Sequence, residues 1–466
     1  MIDATICKSG VRGPVVLTTG ANMLRRAARL LSRNKSKKNV DLSPNTRVAR
    51  SVTELGGHVA IGRAPGAGKL LVLPFLVGSL YASQSLAQTQ ARPQGETFQP
   101  FVSTMVSYDD NLLRRDNTID SEAADSDTSR SVVAGVGFDH TFSRQRVTGI
   151  VKATKVSFNR FSQLDYTGKD ALVDLNWQIA HTLSGTLGVK YNESLASFAD
   201  FSVAARNLRV QRKQYATGFW RFHPSWRLRA GYTEEKFDFD LPSQSYNNRT
   251  EKNSEAGFDY LAPSGSTFGF LVRKVKGVYP INALGNGVVI DNGFNQDEAK
   301  FNVSWNISGV SQLIFLGGYV KRESNSSSLR NDSGSNGRLI VNWNPLSQVK
   351  LTGMLWREFG AAEGVFVNSA LATGKGLDAK WSISSKIDAT ASYRTETRDF
   401  KPLQGVQNLT GLTDDTDTAT VGITYQPLRV LGFGLNAFST KRDGSLAAQT
   451  RSFRAKGIAF NATVSF

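Results

Sequence analysis

From Phe98 to Phe466 the chain is written in alternation. Leu175, Trp177 and Ile179 interleave with Asp174, Asn176 and Gln178. Leu187, Val189 and Tyr191 interleave with Thr186, Gly188 and Lys190, and Phe301, Val303, Trp305 and Ile307 with Asn302, Ser304 and Asn306. Ile387, Ala389, Ala391 and Tyr393 do the same against Asp388, Thr390, Ser392 and Arg394. A period of two marks a strand with one apolar and one polar face. About 18 such stretches follow one another, and no convincing amphipathic helix interrupts them. Residues 145–157 and 311–322 alternate less cleanly.

The stretches come in pairs about 40 residues apart, an internal repeat. Within each pair the link is short and rich in Ser, Gly or Pro, as at "FSRQ" (Phe142), "HTLS" (His181), "HPSW" (His223), "APSGS" (Ala262), "SGVS" (Ser308), "NPLS" (Asn344), "SSK" (Ser384) and "QPLR" (Gln426). These are hairpin connections. Between pairs the links are longer and polar, such as Asp109–Arg130 and Gly277–Asn295. Short turns at one end and long loops at the other predict an antiparallel up-and-down transmembrane β-barrel of the bacterial outer membrane. Eight turns and nine loops predict 18 strands. A ten-residue strand rises about 33 Å and, tilted near 45°, crosses roughly 23 Å, close to the ~25 Å apolar band of such a wall.

Aromatics support the same reading. Phe138, Trp177, Trp220, Tyr260, Trp305, Trp343, Trp381 and Tyr425 each precede a short turn by a few residues, which predicts an aromatic girdle at the periplasmic interface. A soluble sandwich or propeller would carry apolar residues on both strand faces. Here the second face carries Asn, Ser, Thr, Lys, Arg and Asp, which suits a wet lumen. The last stretch, "GIAFNATVSF", alternates to its final residue. It is expected to be the strand that closes the wall, with Phe466 at the lipid face.

Composition modifies this picture at one end only. The chain has 466 residues and a net charge of +17, with thirteen Lys/Arg against three Asp/Glu among residues 1–69. The excess base therefore belongs mostly to the N-terminal region and argues little for nucleic acid as a partner. Residues 1–62 read as a basic extension, with the true translation start expected nearer Val59. Residues 63–87 read as a signal peptide: Arg63 and Lys69, the apolar run Leu70–Ala82, then Ser85 and Ala87 before a cleavage site. Thirteen apolar residues are too few for a spanning helix of roughly 20. Residues 88–97 would be a short periplasmic segment and 98–466 the barrel. "GRAPGAGKL" at Gly62 lacks the spacing and the Ser/Thr of a phosphate loop.

Chemistry is sparse. With Cys7 alone there is no disulfide and no cysteine metal cluster. His140, His181 and His223 lie at or beside short turns, where polar residues are ordinary. No Ser–His–acid grouping suggests catalysis, and neither a metal nor a cofactor is expected. A barrel of 18 strands encloses more space than side chains fill, so transport is the function to consider. By parity Lys190, Arg227, Arg229, Arg338, Lys350 and Arg394 are expected to face the lumen and line a solute path, opposed by Asp174 and Asp388.

"FQPFVSTMVSYDDNLLRRDN" (Phe98–Asn117) resembles the opening of the EpsL-type outer-membrane proteins of exosortase-linked exopolysaccharide operons. Tyr108, Asp109, Asp110, Asn111, Leu112, Leu113 and Arg114 carry the likeness, with Leu113 where the pattern has Phe. Barrel length, periodic Trp and the terminal Phe extend it over residues 98–466. The resemblance implies a part in biosynthesis or export of an extracellular polysaccharide, as conduit or structural component. Its partners would be outer-membrane lipid, polysaccharide and other export-machine components, with no catalytic residue to carry over. The alternative is a general or anion-preferring diffusion porin.

Overall fold

The computed structural model describes residues 97–118, 125–199, 201, 204–285, 288–325, 331–361, 369–400, 412–445, 447–448 and 450–466. The expected extension, signal peptide and nearly all of the segment 88–97 lie outside these residues.

Among the described residues twenty strands form. The first nine are β1 (Phe98–Asp109), β2 (Asp127–Phe142), β3 (Gln145–Phe158), β4 (Tyr166–Ile179), β5 (Leu183–Leu195), β6 (Leu208–His223), β7 (Trp226–Phe239), β8 (Arg249–Leu261) and β9 (Thr267–Val278). The long loop after β9 holds a small hairpin that alternation did not predict, β10 (Ala283–Gly285) with β11 (Val288–Ile290). The rest are β12 (Phe294–Ser308), β13 (Ser311–Ser324), β14 (Asp332–Leu346), β15 (Val349–Ala361), β16 (Ser369–Ser384), β17 (Ile387–Phe400), β18 (Thr413–Leu428), β19 (Leu431–Asp443) and β20 (Phe453–Ser465).

All but the small hairpin join one 18-stranded antiparallel sheet in which each strand pairs with its sequence neighbours. β9 pairs with β12 past the hairpin, and β1 pairs with β20 from Phe101↔Ser465 to Asp109↔Gly457. The sheet is therefore closed, and every strand has a partner on both sides. Beyond the ladder, Phe466 N–H donates to Pro100 O at 2.9 Å and Ser465 N–H to Val430 O at 2.8 Å.

Strands of 12 to 16 residues are longer than the ten that alternation suggested. At ~3.3 Å per residue they outrun the apolar band, so the wall continues above it as a polar rim. The outward face explains why the middle is apolar. Val102, Val151, Val189, Val421 and Phe460 all point out and are exposed. With no protein to cover them, lipid does so. The eight predicted girdle aromatics, Phe138, Trp177, Trp220, Tyr260, Trp305, Trp343, Trp381 and Tyr425, share this outward parity near the short turns. Trp226 joins them, its ring 5.2 Å from that of Tyr260.

The untidy stretches have a physical cause. β3 turns Ile150, Val156 and Phe158 inward, and β13 turns Ile314, Leu316 and Val320 inward, so their second face is not uniformly polar. Two short turns use non-glycine residues in left-handed backbone, Ser143 and Ala180, with φ of 54° and 55°.

Candidate transport lumen

Register pairing fixes which residues share the inner face. Asp170 pairs with Asn192, Lys190 with Lys213, Arg229 with Phe219 and Arg338 with Trp356. Lys190, Arg227, Arg229, Arg338, Lys350 and Arg394 all lie on this inner face, as do Asp174 and Asp388.

Most inward cations are fixed by neighbours. Arg227 Nε donates to Asp259 Oδ2 at 2.7 Å, and its guanidinium sits 4.4 Å from the centre of the Phe219 ring. Arg229 reaches Glu255 at 2.6 Å, and Arg273 holds the same carboxylate at 2.8 Å. Arg273 also reaches Glu298 at 3.4 Å, which Lys300 holds at 2.7 Å. One ion chain thus runs across β7, β8, β9 and β12. Further round the same sheet Arg338 pairs with Glu358 at 2.7 Å, Arg394 with Asp378 at 3.3 Å and Lys380 with Asp388 at 2.9 Å. Cross-strand opposite charges of this kind hold register and fix the field inside the wall.

Two cations differ. Lys190 directly faces Lys213 across β5 and β6, and Lys350 directly faces Lys380 across β15 and β16. Lys213 is held by Glu235 at 3.3 Å and Lys380 by Asp388. Among the described residues Lys190 and Lys350 have neither an ion pair nor a hydrogen bond. Like charges directly opposite cost stability unless a counter-charge is supplied.

Several inward rings lie over glycines, Tyr215 and Trp356 among them. A Cβ on Gly188 would meet the Tyr215 ring at 2.2 Å, and one on Gly374 would meet Trp356 at 2.3 Å. Tyr215 donates its hydroxyl to Asp174, and Trp356 Nε1 donates to Glu396 Oε2 at 2.9 Å. Trp356 is the one tryptophan of seven on the inner face. Parity alone gives its orientation, but sequence reading singled out only the tryptophans before turns.

The outer mouth is organised by the first loop. Asp109 accepts both guanidinium nitrogens of Arg114, at 2.9 and 2.8 Å, and the N–H of Asn111 at 3.0 Å. Asn111 is fully buried. Its Nδ2 donates to Arg115 O and Arg454 O, and its Oδ1 accepts Arg115 N–H. Arg114, at φ 54°, turns the chain back so that its guanidinium lies 5.9 and 5.8 Å from the rings of Phe438 and Phe453. Leu112 and Leu113 pack with Val156, Phe158, Leu164, Leu195, Phe198 and Phe201. The Tyr108–Arg114 motif is thus a structural device that seats the first three outer loops on one another.

The loop between β5 and β6 then reaches a distant wall. In the sheet, β4, β3, β2 and β1 separate β5 from β20. Yet Ala199 packs against Phe453, Ala455 and Phe438, and its carbonyl accepts Arg442 Nη1 at 2.7 Å. Arg442 is fully buried, with Thr416 Oγ1 at 3.3 Å and Asp414 Oδ2 at 3.9 Å. Arg398 holds Asp414 at 2.8 and 2.5 Å. Sequence reading missed this latch. Inward parity and the end-of-strand positions of Arg398, Asp414 and Arg442 were available, but the loop partner was not.

The three turn histidines do not converge. His140 faces outward beside Phe142 with ring centres 6.2 Å apart, and His223 Nδ1 accepts Ser225 N–H at 3.2 Å. Among the described residues no group of three or more His, Cys, Asp or Glu is arranged to hold a metal.

A closed sheet with apolar residues outside and paired charges inside is a transmembrane β-barrel, and its place is the bacterial outer membrane. No protein-family model and no curated protein matches the chain. Among solved structures it is similar to OccAB3 of Acinetobacter baumannii at 9% identity, covering 79% of this chain and 99% of that one, with a TM-score of 0.42. It is similar to the outer-membrane protein OpdK of Pseudomonas aeruginosa at 11%, covering 80% and 99%, with a TM-score of 0.43. It is also similar to OccK2 (OpdF) of the same organism, in complex with glucuronate, at 9%, covering 79% and 98%, with a TM-score of 0.44. The architecture itself is read from this chain's own 18 paired strands.

Proposed function

We propose that the chain is a diffusion porin of the outer membrane with a preference for small anionic solutes. The observation that carries this reading is the pair of inward lysines, Lys190 and Lys350, each opposed by a second lysine and neither held in an ion pair among the described residues. Most other inward charges sit in fixed ion pairs, and two inward acids outside them, Asp174 and Glu396, are held by the Tyr215 hydroxyl and Trp356 Nε1, so these two lysines are the cations placed to draw a passing anion. A lumen of this strand number is wide enough for an aqueous path.

Recording in planar bilayers under a potassium chloride gradient tests it. The wild-type protein gives steady conductance with an anion-selective reversal potential. Lys190→Glu with Lys350→Glu lowers the anion-to-cation permeability ratio about fivefold or more, from ~1 kcal/mol per contact in a wet pore. A protein that is silent, or cation-selective before any substitution, refutes the proposal.

A second reading keeps the exopolysaccharide role that the sequence resemblance implies. Tyr215 and Trp356 favour it, because rings laid flat on glycine offer their other face to a sugar ring. Deleting the gene and measuring surface polysaccharide distinguishes the two. Unchanged polysaccharide removes the second reading.

A further inference from the structure

Above the apolar band the outer rim carries many outward Lys and Arg, and several are neutralised. Arg212 and Lys236 hold Asp238 at 2.6 and 3.1 Å, Lys252 holds Glu234 at 3.6 Å, Lys274 holds Asp297 at 3.8 Å, and Lys321 holds Glu323 at 2.6 Å. Lys276 on β9 and Lys375 on β16 stand exposed and unpaired singly, but one sector gathers several such cations side by side. Arg130 on β2, Lys155 on β3 and Lys169 on β4 all point outward, are exposed, and lie in no ion pair or hydrogen bond among the described residues. Register places them as a diagonal ladder. Arg130 faces Ser157 while Lys155 faces Val132, and Lys155 faces Thr167 while Lys169 faces Ala153. Across β1, Arg454 and Lys456 on β20 extend the sector, again exposed and unpaired. Asp110 and Glu193 are outward acids at its two margins, and neither is in an ion pair with it.

The height of this sector identifies what it meets. One step further along each strand, the outward residues become Val132, Ala153, Ala171 and Ile458, which face lipid. The cations therefore stand at the boundary where acyl chains end and headgroups begin on the outer side. We propose that Arg130, Lys155 and Lys169, with Arg454 and Lys456, form a docking face for a phosphorylated glycolipid headgroup of the outer leaflet. Adjacent unpaired cations repel one another, and a phosphate group bridging two of them supplies the missing counter-charge. The outward Tyr108 on the intervening β1 is an amphipathic ring suited to the same interface. The inference rests on the barrel's place in the membrane and not on what passes through the lumen.

The test uses the full chain in phosphatidylcholine nanodiscs doped with bisphosphorylated lipid A or with its dephosphorylated form. Retained lipid is counted by native mass spectrometry, and inorganic pyrophosphate is added in a separate arm. Wild-type protein should retain the phosphorylated lipid at least ~tenfold better than the dephosphorylated one, and added salt should weaken this. Arg130→Gln with Lys155→Gln and Lys169→Gln should abolish the difference. Arg212→Gln with Lys252→Gln and Lys321→Gln, which removes paired cations from elsewhere on the rim, should preserve it. Heat-modified migration on gels confirms that both variants are folded. Equal retention of the two lipids, equal loss in both variants, or full displacement by pyrophosphate would overturn the proposal.

Discussion

Replacing Arg442 by Ala should release the loop between β5 and β6 from the far wall. The guanidinium donates a charged hydrogen bond to the Ala199 carbonyl at 2.7 Å, which is its tie to the loop, and lies 5.4 Å from the centre of the Phe453 ring. A hydrogen bond to a charged group contributes about 1.5–3 kcal/mol. A desolvated cation over a ring adds about 0.5–2 kcal/mol. Asp414 keeps Arg398 as a partner, so no buried carboxylate is abandoned. The loop should therefore lose about 3 kcal/mol of attachment, roughly a 150-fold shift toward its detached state. Hydrogen exchange at the Ala196 amide, which donates to Asn207 O at 2.8 Å, should quicken, and single-channel traces should show larger or noisier conductance. Arg442→Lys keeps the charge but not the planar reach, and should fall between the two. If exchange and conductance in Arg442→Ala match wild type, the loop is held by packing of Ala199 alone and the latch argument is wrong.

Leu113 is fully buried in the cluster beneath the outer loops, so Leu113→Ala should cost about 2–5 kcal/mol of local stability, read as faster proteolysis of the outer loops. Unaltered proteolysis would mean that the Tyr108–Arg114 turn stands without its apolar anchor. At the turn between β4 and β5, Ala180→Gly should raise the unfolding free energy by up to ~1 kcal/mol, read as a higher urea midpoint, because glycine accepts a φ of 55° without the Cβ penalty. A lower midpoint would show that unfolded-state entropy outweighs the relieved strain at that position.

Strand number, closure and orientation were legible because lipid and water impose a strict period of two. The terminal stretch Gly457–Phe466 shows this well, since Ile458, Phe460, Ala462, Val464 and Phe466 all share the outward side of β20. The same parity put Lys190 and Arg338 inside. What parity does not encode is partnership. That Lys190 forms no ion pair among the described residues while Arg229 holds Glu255 depends on register between strands, which is set by turn geometry and loop length. The mouth was least legible. The motif around Asn111 reads as a polar loop, yet Asn111 and Leu113 are both fully buried, because three loops supply one another's partners over long sequence separations. The β10–β11 hairpin was missed because three-residue strands carry too little alternation to see.

Two neighbouring residues on β18 test the central claim most directly. Val421 points outward between Ala391 and Ala437, and Thr420 points inward between Ser392 and Phe438. Arginine at the lipid face near mid-bilayer costs about 2–4 kcal/mol, while one in a wet lumen costs little. Urea unfolding of the barrel in phosphatidylcholine vesicles should therefore show Val421→Arg destabilised by that amount and Thr420→Arg close to wild type. Equal costs for the two, or a larger cost at Thr420, would contradict a wall with lipid on one side and water on the other.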